Sequence, residues 1–144
     1  MGCRAAWWLR RHLGRRGGAL ALFGAGKVFY GLAYLLHPEL GVSGLGLLTR
    51  FADIRCWAWL WIVCGAITFG CSWLRIGRDQ YGFYAALVPP FVWGAAFLWG
   101  AFAGDYPRGL PLFGWFATSH VGIILWVASV PEYEVPHTAR QEHR

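Results

Sequence analysis

Four long apolar runs constrain the fold of this chain more than any other feature of its sequence. A helix of about 20 mainly apolar residues crosses the ~30 Å hydrocarbon core of a bilayer. None of the runs alternates apolar and polar residues as the strands of membrane barrels do. We therefore predict an all-α integral membrane bundle of four transmembrane helices, with spans at about 19–36, 56–74, 83–103 and 110–130. The flanking segments 1–18 and 131–144 are predicted as a basic and a polar tail outside this 19–130 domain.

The composition also favours a lipid environment. Apolar residues make up 57% and charged residues 14% of the chain, against roughly 45–50% and 25% in ordinary soluble domains. Ten Trp, ten Phe and six Tyr are more aromatic surface than a soluble chain of 144 residues can readily bury. The net charge of +6 comes from Lys and Arg that mostly flank the apolar runs. That placement weighs against nucleic-acid binding and makes the lipid bilayer the expected partner.

The distribution of Lys and Arg predicts the orientation of the bundle. Nine of these residues lie in the two tails and the loop after the second span, and three lie on the opposite side. Positive charge accumulates on the cytoplasmic side of membrane proteins, so both termini are predicted to be cytoplasmic. An even number of spans agrees with this. The first apolar run is longer than the core of a typical signal peptide, and we interpret it as an uncleaved span.

Two shorter pieces are predicted to lie on the membrane surface. The basic tail with Trp7 and Trp8 is suited to a short interfacial helix on the inner leaflet. In the long loop 37–55, helical spacing of apolar residues predicts an amphipathic helix on the outer side, carried by Leu47, Leu48, Phe51 and Ile54.

Two ionisable side chains inside the spans are the candidates for chemistry, because such groups are costly in lipid. Lys27 lies near the middle of the first span, with Tyr30 on the same face. His120 lies at the middle of the fourth, next to Thr118 and Ser119. They are candidates for a proton or ion relay or for a gate. The alternative is that Lys27 extends towards the interface or bonds to neighbouring hydroxyls and carbonyls, and that His120 is structural.

The acidic residues argue against proton-coupled transport. All seven Asp and Glu residues fall outside the predicted spans, whereas proton-coupled transporters usually hold a carboxylate near mid-membrane. The Cys and His residues show no metal-ligand spacing, and we expect neither a metal nor a cofactor.

Prolines and small residues predict how the helices bend and pack. Two consecutive prolines remove two amide donors, so a kink is predicted in the third span at Pro89 and Pro90. Small residues spaced by four let helix backbones approach closely. Such stripes occur at Ala96, Gly100 and Gly104 and at Ala66 and Gly70. Spacing alone leaves open whether they pack within one chain or between subunits.

No nucleophile, phosphate-loop or zinc-protease motif is present, which predicts that the protein is not an enzyme. The Arg-rich start WWLRRHLGRR, the segment FADIRCWAWLWIVCGAI and the short charged tail resemble the small four-span membrane proteins of actinobacteria and their phages. The resemblance implies a bacterial cytoplasmic membrane. Phage proteins of this kind are often suspected of acting in lysis, and no functional residue is transferred from them.

Together these features lead to three hypotheses. The first is a non-enzymatic membrane protein that works by helix association, with a holin-like lesion former as its most concrete form. The second is an accessory or assembly subunit of a larger membrane complex. The third is a small transporter that uses Lys27 and His120. The first two make the expected protein partner a second copy or a larger complex.

Overall fold

The computed structural model describes residues 2–39, 43–74 and 78–129, with side chains from Gly14 onward. Every regular element in these ranges is helical. Four helices are long and apolar enough to cross a membrane, which confirms the four-helix prediction: Gly14–Leu36, Ile54–Cys71, Gln80–Phe102 and Gly109–Ser129. We call them the first to fourth spans. The predicted C-terminal tail lies outside the described residues.

The elements in chain order begin with α1 at Gly2–Leu36 and the short α2 at Gly46–Phe51. Helix α3, Ile54–Cys71, forms the second span, and α4, Gln80–Phe102, forms the third. The fourth span has three parts: α5, a π-helical segment and α6, at Gly109–Trp115, Phe116–Gly122 and Ile123–Ser129.

Helix α1 is broken at Gly14, where φ is 63° and ψ is −169°. An L-residue with a side chain rarely adopts this left-handed φ, so glycine permits the chain to change direction here. The break separates the first span from a helical backbone that starts at Gly2. A separate N-terminal helix fits the predicted interfacial helix, and its location on a membrane surface stays a prediction.

Glycines hold the first and second spans at close range. A Cβ built on Gly24 would lie 2.5 Å from the backbone nitrogen of Phe69, and one on Gly65 would lie 2.8 Å from that of Val28. A Cβ on Gly31 would meet the carbonyl oxygen of Ala58 at 2.7 Å. The two backbones therefore touch along their length, which is the packing that small residues permit in membranes.

Aromatic rings fill the middle of the bundle. Trp61 of α3 and Trp93 of α4 are almost completely buried, and their rings meet edge to face with 5.3 Å between centroids. Around them lie buried residues from all four spans, from α2 and from the residue before α2: Tyr34, Leu45, Leu48, Ile54, Ala58, Ala96, Phe97 and Phe116. Edge-to-face contacts of this kind add to the stabilisation that burial provides.

The fourth span packs mainly on α4 and touches the first span mostly at one end. At that end a smaller core joins Leu20 of the first span to Ile124 of α6, with Phe83 and Ala86 of α4 beside them. The same end holds an ion pair, in which Arg16 Nε lies 2.9 Å from Asp79 Oδ2. Further from this end of the bundle, the first and fourth spans leave a cleft at Lys27 and His120. We call this cleft the seam.

The long loop between the first and second spans contains the predicted short helix, with one correction. Helix α2 ends at Phe51, because Ala52 is extended and the side chain of Asp53 accepts a hydrogen bond from Arg55 N at 2.8 Å. Asp53 thereby caps a new helix, and Ile54 belongs to the second span rather than to α2. Trp57 ties the two helices together by donating from Nε1 to the Leu48 carbonyl at 2.9 Å.

The third span continues as one helix through Pro89 and Pro90. Both prolines are buried against neighbouring helices, where they cannot form the backbone bonds that an amide would provide. The kink predicted at this position stays a prediction.

Candidate functional site

The seam contains a pocket of about 210 Å³ with polar groups from three spans. Lys27 and Tyr30 come from the first span, Trp61 from the second and His120 from the fourth. Apolar atoms complete the wall at Leu22, Phe23 and Gly26. The two ionisable residues singled out in the sequence thus line one cavity, although they are far apart in the chain.

Lys27 lies far from both ends of its helix. At 1.5 Å per residue, it is about 20 Å along the axis from Gly14 and about 14 Å from Leu36. Its side chain is only 4% exposed. Nζ lies 5.7 Å from the centroid of the Trp61 ring and 5.8 Å from that of Phe23. These are cation–π distances, so the rings partly compensate the loss of water around the ammonium group.

The described carboxylates nearest the span ends have other partners. Asp79 is buried against Arg16, with 2.9 Å between Oδ2 and Nε. Asp53 caps α3. Glu39 lies 3.3 Å from Nδ1 of His37, and the pKa of its carboxyl is lowered, first by a hydrogen bond to its own backbone amide. Within the described residues, the neighbours of Lys27 Nζ are the Phe23 and Trp61 rings and, by electrostatic interaction, the Cys64 thiol, and no carboxylate forms an ion pair with it.

Further donors lie beside Lys27. The hydroxyl groups of Tyr30 and Tyr34 are 3.2 Å apart, and the Tyr30 ring lies 4.4 Å from that of Trp61. Nε1 of Trp61 is buried and has no hydrogen-bond partner among the described residues. An unpaired buried N–H costs free energy, and such groups in native proteins are rare.

His120 is held in place by its own helix. Ser119 donates to the carbonyl of Trp115 at 2.5 Å, and its Oγ lies 2.8 Å from Nδ1 of His120. Because the hydroxyl has one hydrogen, Nδ1–H must donate to Oγ, which leaves Nε2 as the acceptor of a neutral ring. The ring also stacks on Phe116, with 4.9 Å between centroids.

The π-helical segment Phe116–Gly122 was not predicted from the sequence. Within it, Thr118 donates its hydroxyl to the carbonyl of Gly114 at 2.8 Å. Together with Ser119, this gives two adjacent hydroxyls bonded to carbonyls one turn earlier, where they compete with backbone bonding. π-Turns occur often at functional sites. Thr118 itself is exposed, so it lies outside the pocket that His120 lines.

The predicted packing residues occupy three different environments. Ala96 and Gly100 are buried in α4, and a Cβ on Gly100 would lie 3.3 Å from that of Tyr106. Gly104 follows the end of α4 with φ of 79°, which is typical of a glycine that ends a helix. Ala66 and Gly70 are exposed, and the added Cβ of Gly70 has no neighbour within 4 Å.

A second pocket of about 300 Å³ lies at the opposite end of the bundle from Asp79. It is formed by the loop between the first and second spans and by the turn after α4, and its charged residues are Arg50 and Asp105. Among the described residues, no group of three His, Cys, Asp or Glu side chains is placed to hold a metal ion.

The chain matches no protein-family model, no curated protein and no solved structure. The resemblance to actinobacterial and phage proteins therefore gains no support from these comparisons. The seam and the outward faces of the helices have to be interpreted from their own chemistry.

Proposed function

We propose that this protein is a non-enzymatic, multi-pass protein of a bacterial cytoplasmic membrane that works by lateral association of its helices. The carrying observation is that small residues fall into two groups. Gly24, Gly31 and Gly65 pack against a facing helix of the same chain. Ala66 and Gly70 are exposed, and a Cβ built on Gly70 has no neighbour within 4 Å. An outward pair of small residues spaced by four offers a second helix a close approach.

The most concrete form of this proposal is a holin-like lesion former with both termini cytoplasmic. Aromatic rings fill the centre of the described bundle, so a lesion made by this chain would open between copies. The fourth span supports such assembly, because only 11% of its most apolar 18-residue stretch is buried within the chain, against 44% for the third span. Most of its apolar surface is therefore available to another helix. A homo-oligomer is thus the expected partner arrangement.

Controlled expression in bacteria tests the lesion former. The unaltered chain is expected to collapse the membrane potential once it has accumulated in the membrane. The double variant Ala66→Ile, Gly70→Ile is expected to insert to the same level and to delay that collapse at least severalfold, because added bulk prevents close approach. Ala33→Ile, at an exposed alanine of the first span, controls for bulk alone. A membrane potential that persists at high inserted levels would contradict the lesion-forming proposal.

The accessory-subunit hypothesis is a variant of the same proposal, in which the outward stripe meets a different protein. Purification in mild detergent separates the two. A subunit is expected to bring a partner in fixed stoichiometry, whereas a self-associating chain is expected to yield only copies of itself.

The pocket favours the small transporter as a second candidate function, since Lys27 and His120 line one cavity between the first and fourth spans. If the protein moves a solute, Lys27→Ala and His120→Ala are each expected to abolish the flux. Flux that survives both substitutions would remove the basis for this candidate.

A further inference from the structure

The seam pocket combines a buried cation with hydrogen-bond donors and lacks an anion. Lys27 is 4% exposed, and its ammonium group has no hydrogen bond or ion pair with the described residues. Trp61 lines the same cavity, and its buried Nε1 has no hydrogen-bond partner among the described residues, as is also true of Nε1 of Trp93. All seven acidic residues of the chain lie outside the predicted spans, so a second copy would not supply a carboxylate at this depth either. We propose that the pocket binds the carboxyl group of a lipid-borne monocarboxylic acid.

The shape of the pocket favours a slender ligand. Its volume of about 210 Å³ is roughly seven times the ~30 Å³ that a water molecule occupies in the liquid. That is room for a carboxyl group and the first few carbons of an alkyl chain. The wall beyond the polar groups is apolar, and Leu22 and Gly26 at its edge are exposed. The rest of the alkyl chain therefore has an apolar route out towards lipid.

The depth of the pocket favours the lipid phase as the source of the ligand. Lys27 is about 14 Å or more from either end of its span. Phospholipid headgroups stay at the interface, and water-soluble anions would have to leave water to reach this position. A long-chain acid enters a bilayer in its neutral form and carries its own proton.

The charges balance when such an acid binds. The acid O–H bond breaks, its electron pair stays on the carboxylate oxygen, and the proton passes to a neutral amine at Lys27 Nζ. An ammonium–carboxylate pair results. If Lys27 is already protonated, a carboxylate forms the same pair without proton transfer. If the acid stays neutral beside a protonated Lys27, its O–H can instead donate to Nε2 of His120, which the Ser119 contact leaves as an acceptor, while its carbonyl oxygen accepts from Nζ.

Carbon-13 NMR of [1-13C]hexadecanoate tests this inference on the full chain in nanodiscs of neutral phosphatidylcholine. The unaltered protein is expected to give a second carboxyl resonance, distinct from that of lipid-partitioned acid, which saturates at one ligand per chain. Unlabelled hexadecanoate is expected to displace the label, whereas hexadecanol is not. Lys27→Met is expected to weaken binding about ten- to a hundredfold, since it removes a charged hydrogen-bond donor.

Two conservative variants distinguish loss of a ligand contact from loss of the folded structure. Lys27→Arg retains the charge and is expected to retain the bound resonance. His120→Phe retains a ring against Phe116 and is expected to weaken binding by about fivefold, as for the loss of one neutral hydrogen bond. The absence of a saturable resonance, or binding unchanged in Lys27→Met, would overturn the inference. Equal binding of [1-13C]acetate would also overturn it, because the ligand would then come from water.

Discussion

Gly24→Ala is expected to destabilise the protein although it adds a single methyl group. The new Cβ would lie 2.5 Å from the backbone nitrogen of Phe69 and 2.7 Å from its Cα. Because backbone atoms of the facing helix cannot turn aside as a side chain does, the first and second spans must move apart. Overpacking of this kind costs about 1–3 kcal/mol. A fall in the thermal unfolding midpoint, followed by tryptophan fluorescence in detergent, measures the effect.

Gly18→Ala is the matched control for this substitution. Gly18 lies on the same helix, and a Cβ built there has no neighbour within 4 Å. Replacing glycine by alanine in a helix interior is worth up to about 1 kcal/mol of stability, so the control is expected to be neutral or slightly stabilised. Equal midpoints for the two variants would contradict the close approach of the first and second spans.

Asp79→Ala is expected to have the larger effect on stability. The side chain of Asp79 is 6% exposed and that of Arg16 is 16% exposed, with 2.9 Å between Oδ2 and Nε. The guanidinium group also lies 5.1 Å from the centre of the Phe83 ring. Removing one partner of a buried ion pair costs about 3–5 kcal/mol. The measurement is again the unfolding midpoint in detergent.

Two further variants distinguish the effect of losing this ion pair from the effect of losing any carboxylate. Asp105→Ala removes an exposed acidic side chain at the other end of the bundle and is expected to change the midpoint little. The double variant Arg16→Met, Asp79→Leu is expected to recover most of the lost stability, because well-packed apolar residues can replace a buried pair. A double variant as unstable as Asp79→Ala would show that the pair is not the cause.

The number and position of the helices could be predicted because hydrophobic length is a local property of the sequence. The spans expected at 56–74 and 83–103 correspond to helices at Ile54–Cys71 and Gln80–Phe102. The predicted and observed ends differ by one to three residues, and at the start of the second span the Asp53 cap decides the boundary. The break at Gly14 needed knowledge of φ, which a run of helix-compatible residues does not provide.

Small residues spaced by four did not indicate which helix face packs within the chain. Gly65 and Ala66 are adjacent, yet one residue turns a helix by about 100°. Gly65 therefore meets the backbone of Val28, while Ala66 is exposed. Residues spaced by seven, Gly24 with Gly31 and Ala58 with Gly65, were the available signal, and they lie on the faces that meet.

The sequence predicted which residues belong to the candidate site, but it did not predict how they are arranged. Lys27 and His120 stand out in any sequence of this kind because ionisable groups are rare inside spans. Lys27 and His120 are 93 positions apart in the chain, and they share a pocket only because their two helices turn these faces towards each other. The π-helical segment that carries His120 contributes to this placement. Arg16 was counted with the basic tail, because its partner Asp79 comes from a distant loop.

Labelling of single cysteines in intact bacteria tests most directly whether the four helices cross a membrane with both termini inside. In a chain with Cys3, Cys56, Cys64 and Cys71 replaced by Ala, one cysteine is introduced at exposed Ser43 or Arg78. A membrane-impermeant maleimide is expected to label Ser43→Cys in intact cells and Arg78→Cys only after permeabilisation. Labelling of Arg78→Cys in intact cells, or equal labelling of both positions, would contradict the four-span bundle and its orientation.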